Sequence, residues 1–405
     1  MPPAAAAAAV PPPSSREAHY TVSLQAYAHD AGGAASAPGG LPRDLQGGAT
    51  YSKIRIKLDL SRLAPGADPF ACYAAGQSYQ PTLSKTSSQR ATCQAADVLS
   101  AAQSAFLTGT LLPQAVAFWQ SALSVQPVVG NLTLSNPMSD YSCFWDGVFW
   151  NNFACCASNF SPELQTQGVA DADFLLIVTS RPTPGSVLAW AIECQTDQNA
   201  RPLCGHINIA AAPLSTATGD LQAQLGVVTH EITHALGFSS GKYQYFRQPG
   251  TQQQVSSLSD VASVFFDSSL GKTVTRIVTP HVKSWLLTHL NCPAANWPTA
   301  GGELEDYGGS GTVGSHWEKR VFRNELMNGV SEPIMYRSGM TLSYFADSGW
   351  YSVDFSVADP LAWGDGQGCG FAAAQCNGWS PSYFCTSQGA GCTADMRFQA
   401  TCNYY

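Results

Sequence analysis

The chain has 405 residues, of which 45% are hydrophobic and 12% are charged, and its 20 basic and 28 acidic residues give a net charge of −8. A chain of this length is expected to form two or three domains with a sizeable core. The apolar content excludes general disorder, and the acidic balance argues against a nucleic acid as partner. No run of about 18 apolar residues is present, so no transmembrane helix is predicted.

The first 50 residues are rich in Ala, Pro, Gly and Ser and show no sustained hydrophobic period. We interpret residues 1–50 as a flexible leader or the remnant of a propeptide. Residues 1–10 are largely apolar, but no Lys or Arg precedes Arg16. The basic region of a secretory signal is therefore missing, and no signal peptide is predicted.

Apolar periodicity predicts the next elements. Residues 51–60 alternate between apolar and charged side chains, which is typical of a strand with one wet face. Residues 95–123 show a helical pattern, with Pro113 where a second helix would begin. Three short apolar runs predict further strands, at 174–178, 187–192 and 207–211. Together these strands are expected to form a mixed sheet.

A helix is predicted over 221–236, with Asp220 as its N-cap and Gly237 ending it. This helix carries the sequence His230-Glu231-Ile232-Thr233-His234. Positions i and i+4 share one helix face, so both imidazoles can bind one ion, and the pattern H-E-x-x-H is typical of zinc sites. Three protein ligands would leave a fourth position for water, whose proton Glu231 could take.

The third ligand is not fixed by the helix. A His six residues beyond His234 is typical of metzincins, but that position is Ser240, and a hydroxyl ligand would be unusual. Another donor is therefore needed downstream, and the candidates are His281, His289, His316, Glu318 and Glu325. A distal Glu would indicate a thermolysin-type site. Met327 follows His316 by eleven positions and favours a metzincin, in which a Met turn lies beneath the ligands.

At these residues the chain resembles the leishmanolysin family of zinc endopeptidases, which are metzincins. Besides the helix motif, the resemblance rests on residues 201–209, 315–327, 345–351 and 363–364. It covers about residues 51–402, and 78 residues, 238–315, separate Gly237 from His316. The resemblance implies one catalytic zinc ion, with Glu231 as general acid/base, Met327 in the Met-turn, and as metal ligands His230, His234 and His316.

The resemblance also implies an α+β fold of metzincin type. We expect an N-terminal catalytic subdomain over 51–237, with the mixed sheet and the active-site helix, after the leader at 1–50. A central subdomain over 238–365 would hold the insertion, the third His and the Met-turn. A small Cys-rich module would follow at 366–405. Members of the family usually extend further, so the hypothesis that the chain is a fragment at both ends stays open.

Thirteen cysteines, five of them in the last 37 residues, indicate oxidising surroundings. Sequons at Asn131 and Asn159 agree with a secretory route, and we expect an extracellular or cell-surface protein. The resemblance implies the disulfides Cys72–Cys93 and Cys292–Cys369. Because the count is odd, one cysteine is free or pairs beyond the chain. No cysteine precedes Cys72, so latency through a propeptide thiol is not expected.

The function expected from the resemblance is a zinc metalloendopeptidase that hydrolyses proteins or peptides, and we expect the protein to be a monomer.

 
Peripheral or anchored membrane association is a further expectation. The alternative is an adhesion or matrix-binding protein that retains the protease fold; such proteins typically lose the Glu or a ligand, whereas Glu231 and the three His are all present.

Several residues have plainer interpretations. Glu325 is expected either to orient His316 or to be a solvated charge, two alternatives that the sequence leaves open. Met335 and Met340 are expected in the core. A solitary His is more often satisfied by local hydrogen bonds than by a metal, which is the expectation for His206, His281 and His289.

Overall fold

The computed structural model describes residues 20–22, 50–79, 90–134, 143–145, 148–150, 162–183, 187–248, 253–308, 312–373, 389–392 and 399–402. The chain divides into two compact units. One unit comprises residues 34–376, and the other comprises Met1–Gly33 together with Asn377–Tyr405. The four-part division expected from the sequence stays a prediction.

The strands of the described residues are short, and each contains between two and eight residues. In chain order they are β1 (Tyr20–Val22), β2 (Ser52–Lys53), β3 (Ile56–Asp59), β4 (Ser78–Tyr79), β5 (Ala91–Thr92), β6 (Leu123–Val125), β7 (Cys143–Trp145), β8 (Val148–Trp150), β9 (Phe174–Thr179), β10 (Ala189–Thr196), β11 (Pro202–Ile209), β12 (Ala262–Asp267), β13 (Lys272–Ile277), β14 (Gly302–Glu303), β15 (Ser352–Val353), β16 (Gly389–Cys392) and β17 (Gln399–Cys402).

The α-helices are α1 (Ala101–Phe106), α2 (Leu112–Ala122), α3 (Pro162–Thr166), α4 (Leu221–Ala235), α5 (Pro280–His289), α6 (Lys319–Phe322), α7 (Gly339–Asp347) and α8 (Cys369–Ala373). A π-helical turn at Leu107–Leu111 joins α1 to α2. Pro113 lies in the first turn of α2, as predicted, directly after the π-helical turn. Mixed helices and strands confirm the α+β class. Among the described residues, no helix is both long and apolar enough to cross a bilayer.

The main sheet has the strand order β10-β11-β9-β3. The β10–β11 pair is antiparallel, whereas β11–β9 and β9–β3 are parallel, so the expected mixed sheet is confirmed. All six residues of β9 are buried, in agreement with its unbroken apolar run.

The single strand expected over 51–60 is two strands in two sheets. The first, β2, pairs with β6, and the second, β3, pairs with β9. Arg55 lies at the break, where its backbone carbonyl accepts from the Asp173 and Phe174 amides and its guanidinium contacts the Asp173 carboxylate at 2.8 Å. The alternation of apolar and charged side chains indicates which residues face the core. It does not indicate which strand pairs with each half of residues 51–60.

The long helix α4 packs against α2 and against strands β10 and β11. A side chain at Gly205 of β11 would place its Cβ only 2.7 Å from the Ala235 Cβ, so the close approach of helix and sheet requires glycine there. The helix ends at Ala235, and Gly237 follows with φ +115°, a backbone conformation that favours glycine. The predicted helix and its end are therefore confirmed. Asp220 precedes α4, but its side chain makes no capping hydrogen bond.

Residues beyond α4 return to its C-terminal end. The Tyr344 hydroxyl of α7 donates to the Gly237 carbonyl at 2.8 Å, and the Tyr351 hydroxyl donates to the Leu236 carbonyl at 2.9 Å. These carbonyls have no partner within the helix, so the two tyrosines satisfy them. Every residue of α7 is buried, and α7 packs against α5. The end of α4 is thus held in a fixed, buried position.

Two three-stranded sheets and two disulfides lie outside the main sheet. Strands β12, β13 and β14 form an antiparallel sheet within the 78-residue insertion. In the other unit, β1 and β16 pair with β17, so three residues of the expected leader form a strand. The disulfides Cys72–Cys93 and Cys292–Cys369, which the resemblance implied, are both present.

Candidate metal centre

Helix α4 brings two imidazoles together on one face. The His230 and His234 Nε2 atoms lie 3.1 Å apart, as the i, i+4 spacing predicts. His230 is 7% exposed and His234 is half-buried. The helix therefore presents two nitrogen donors to the same point.

The third imidazole comes from the far end of the insertion. The His316 Nε2 lies 3.2 Å from the Nε2 atoms of both His230 and His234. The backbone on either side of His316 is tied down, because its carbonyl accepts from the Glu305 amide at 2.9 Å and the Trp317 amide donates to the Met327 carbonyl at 2.9 Å. Of the candidates for third donor, His316 is the one that joins the histidine pair.

The loop before His316 lies over the end of α4, where a metzincin would have its third His. Ser240 occupies that sequence position and begins a 3-10 turn, Ser240–Tyr245. From this turn the Tyr243 hydroxyl donates to the Gly314 carbonyl at 2.7 Å. The insertion thus leaves the helix at this point and returns to it with His316.

Backbone carbonyls orient all three rings. The Nδ1 atoms of His230, His234 and His316 lie 2.7, 2.7 and 3.0 Å from the carbonyl oxygens of Leu326, Phe238 and Thr312 respectively. A carbonyl oxygen only accepts, so each Nδ1 carries the proton and each Nε2 presents a lone pair. Three lone pairs then converge on one point, an arrangement that a cation stabilises.

The spacing of the three nitrogens fits zinc. Ligands at ~2.0–2.1 Å in a tetrahedral arrangement lie about 3.3–3.4 Å from one another. The observed separations of 3.1–3.2 Å are close to that value. Imidazole nitrogen is also a donor that zinc prefers, and the carbonyl contacts at Nδ1 are the usual support for it. The residues present therefore fit a zinc ion.

Burial keeps the three rings neutral. Loss of solvent lowers the pKa of His234 to about 4 and that of His316 to about 3, the latter with a further contribution from His234. The pKa of His230 is lowered well below its usual range by burial and then by the other two rings. A metal ligand must be unprotonated, so these rings are in the binding form at neutral pH.

Glu231 is buried next to the first histidine. It is 8% exposed, and burial raises the pKa of its carboxyl to about 8, an effect that a hydrogen bond from the Ala191 backbone of β10 opposes. Burial alone therefore favours the neutral acid, and a positive charge nearby would favour the carboxylate. A carboxyl balanced between its two forms is suited to accepting and releasing a proton.

Met327 lies in a buried turn whose backbone carbonyls accept hydrogen bonds from His230 and from the residue after His316. Its own carbonyl accepts from the Trp317 amide beside His316, and the preceding carbonyl, of Leu326, accepts from His230. Met335 and Met340 are buried in the core, as expected. The turn at Met327 is thus connected to the segments that carry His230 and His316.

Glu325 stabilises the turn at Met327 by hydrogen bonds. Neither interpretation from the sequence, orientation of His316 or a solvated charge, included this role. Its side chain is 0% exposed, so the interpretation as a solvated charge is wrong. Its carboxylate accepts from the Met327 amide at 2.6 Å and, from the start of α7, from the hydroxyls of Ser338 at 2.9 Å and Thr341 at 2.6 Å. The ring that this turn orients is His230, through the neighbouring Leu326 carbonyl.

The remaining histidines of the described residues lie outside this cluster and have local partners. His206 lies in β11, with its Nε2 2.8 Å from the Thr179 hydroxyl. The His281 Nδ1 lies 2.7 Å from the Asp347 carboxylate, and the His289 Nε2 lies 2.9 Å from the Trp363 carbonyl. Each of the three has a local hydrogen-bond partner, as expected, although the Nδ1 of His206 is buried without one among the described residues.

The family model and the curated relatives that match this chain all belong to one family. The family model described as leishmanolysin matches residues 4–404. A leishmanolysin homolog of Crithidia fasciculata is 33% identical over 333 residues, covering 82% of this chain and 45% of the relative. Leishmanolysin of Leishmania donovani is 30% identical over 368 residues, covering 88% of this chain and 56% of the relative. A leishmanolysin-like peptidase of Drosophila melanogaster is 30% identical over 331 residues, covering 67% and 48%. The chain spans about half the length of the curated relatives it matches.

Proposed function

Because this chain belongs to the leishmanolysin family, we propose that it is a zinc-dependent metalloendopeptidase. In this proposal His230, His234 and His316 hold one zinc ion and Glu231 is the general acid/base. The observation that carries the proposal is the convergence of three Nε2 lone pairs within 3.2 Å of one another. Such a cluster of buried, unprotonated donors is typical of a metal site.

Zinc bound by three protein ligands supplies Lewis acidity, which lowers the pKa of water to about 7 and polarises a carbonyl. Glu231 accepts a proton from the water that attacks the peptide carbonyl carbon. It then delivers that proton to the nitrogen of the leaving amine, while the carbon–nitrogen bond breaks. Met327 and Glu325 take no part in proton transfer, and their role is to hold the backbone that orients His230.

The proposed substrates are proteins or peptides, and the proposed location is extracellular or at the cell surface. Two disulfides support that location, because disulfides persist in oxidising compartments. The expectations of a monomer and of peripheral or anchored membrane association stay predictions. An adhesion protein that merely retains the fold is less favoured, since Glu231 and the three convergent imidazoles are all present.

The proposal is tested by mapping cleavage products. Purified protein is incubated with unstructured peptides blocked at both termini, and the fragments are identified by mass spectrometry, with and without 1,10-phenanthroline. We expect cleavage at internal bonds that the chelator abolishes. Intact peptides under conditions in which the protein is folded and zinc-loaded would favour the adhesion function instead.

Glu325→Ala is expected to weaken zinc binding by about 10–100-fold, the usual effect of removing a side chain that supports metal ligands. The change frees the Met327 amide and loosens the Leu326 carbonyl that orients His230. Glu325→Gln, which retains an oxygen acceptor, should lose less. Competition with a zinc-responsive chelating dye gives the dissociation constants.

A core variant separates positioning from general stability. Leu361 is 4% exposed, so Leu361→Ala should lower the thermal midpoint without changing the zinc dissociation constant. Equal loss of zinc affinity in Leu361→Ala and Glu325→Ala would contradict the positioning role of Glu325.

A further inference from the structure

A second group of metal-ligating side chains lies on the segments that carry His316. Glu305, Asp306 and Glu318 each place one carboxylate oxygen within 4.8 Å of the other two. The backbone here is shared with the histidine site, because the Glu305 amide donates to the His316 carbonyl and the Glu305 carbonyl accepts from the Gly314 amide. The two groups of side chains are separate, since no residue belongs to both.

Glu318 has a buried oxygen without a partner. The residue is 7% exposed, and its Oε2 makes no hydrogen bond within the described part of the chain. Its Oε1 accepts from the Arg320 amide at 3.3 Å. A buried carboxylate oxygen with no donor is costly, so a ligand that supplies positive charge at this position would stabilise it.

The other two carboxylates are held in place while keeping room for a ligand. Glu305 accepts from the Tyr307 amide at 3.0 Å and from the Lys319 amide at 3.3 Å. Asp306 accepts from the Lys272 ammonium at 2.7 Å. A carboxylate oxygen can accept more than one bond, so each still has capacity to coordinate an ion.

The group has an excess of negative charge that a divalent cation would neutralise. Three carboxylates face the one ammonium of Lys272, so two negative charges remain. The nearby Glu303 carboxylate does not add to this excess, because it contacts Arg276 at 3.1 Å and Arg320 at 3.0 Å.

We propose that Glu305, Asp306 and Glu318 form a calcium site. The donors are all oxygens, which calcium prefers, and two oxygens bound at 2.3–2.6 Å on opposite sides of the ion lie about 4.6–5.2 Å apart. One oxygen from each carboxylate lies within 4.8 Å of the other two, so one ion can reach all three. Water would complete the coordination, since Asp306 is exposed.

Calcium at this site would brace the third histidine. It would join the segment after β14, which carries Glu305 and Asp306, to the backbone around His316 and Glu318. The 78-residue insertion returns to α4 along this backbone. Calcium is therefore expected to raise the thermal midpoint of the zinc-loaded protein.

Isothermal titration of CaCl2 into the zinc-loaded full chain tests the site. We expect a dissociation constant of about 10⁻⁴–10⁻³ M, as in extracellular calcium modules. Glu318→Gln and the more exposed variant Asp306→Asn should each weaken binding by at least ~10-fold, because each removes one charged ligand. The matched control is Glu332→Gln, whose carboxylate contacts Lys319 at 3.0 Å outside the cluster, and it should bind calcium like the wild type.

The same samples give a second measurement. Millimolar CaCl2 should raise the thermal midpoint of the wild type and of Glu332→Gln, and it should leave that of Glu318→Gln unchanged. Absence of calcium-dependent heat in the wild type, binding that Glu318→Gln and Asp306→Asn leave unchanged, or an equal loss in Glu332→Gln would each overturn the proposal. None of these readouts depends on peptidase activity.

Discussion

Glu231→Gln is expected to lower peptide turnover by about 10²–10⁴-fold while the protein stays folded and keeps its zinc. Glutamine has nearly the same shape as glutamate, but it cannot accept the proton of the attacking water. Its neutral side chain suits the buried position, because burial disfavours the charged form of Glu231. Initial rates on a quenched fluorescent peptide, with the zinc content of the same sample, give the result.

A distant carboxylate supplies the control for that variant. Glu332→Gln also removes one negative charge, and its side chain contacts Lys319 rather than the histidines. We expect it to retain wild-type turnover. Wild-type turnover in a verified, zinc-loaded Glu231→Gln protein would eliminate Glu231 as the general acid/base.

His316→Ala is expected to lose zinc affinity and peptidase activity together. Two imidazoles from one helix leave the ion half-coordinated and readily removed. The ligand is supplied from 82 residues beyond His234, so its loss also removes the link between the insertion and α4. Metal analysis after dialysis, in parallel with the peptide assay, measures both quantities.

Two histidines outside the site are the matched controls. His281 contacts Asp347, and His289 contacts the Trp363 carbonyl. His281→Ala and His289→Ala should therefore keep stoichiometric zinc and activity, whatever they cost in stability. Full zinc in His316→Ala, or loss of zinc in a Glu318 variant instead, would move the protein out of the metzincin class.

Local elements of the fold were predictable because their signals are local. Apolar spacing and Gly237 placed α4 within one residue of its observed end, and the buried run at 174–178 gave β9. Strand partners were less accessible: residues 51–60 divide between two sheets because Arg55 is anchored to Asp173, 118 positions away. No periodicity within a strand contains that information.

The site was predictable in part. His230, Glu231 and His234 follow from one helical motif, whereas His316 came from a family resemblance, since a 78-residue insertion has no spacing rule. The carbonyls that orient the rings belong to Leu326, Phe238 and Thr312, and a backbone acceptor leaves no trace in the sequence. Glu325 lies near His316 in the sequence, but its partners Ser338 and Thr341 belong to the start of α7, which only folding brings to it.

The most direct test of the zinc proposal is the reversible removal of metal from the purified protein. Zinc is measured by mass spectrometry before dialysis against a chelator, after it, and after one equivalent of ZnCl2 is added back, and each sample is assayed on a quenched fluorescent peptide. We predict one zinc per chain, no activity in the metal-free protein and recovery with one equivalent. Full activity in protein shown to be free of metal would contradict the account.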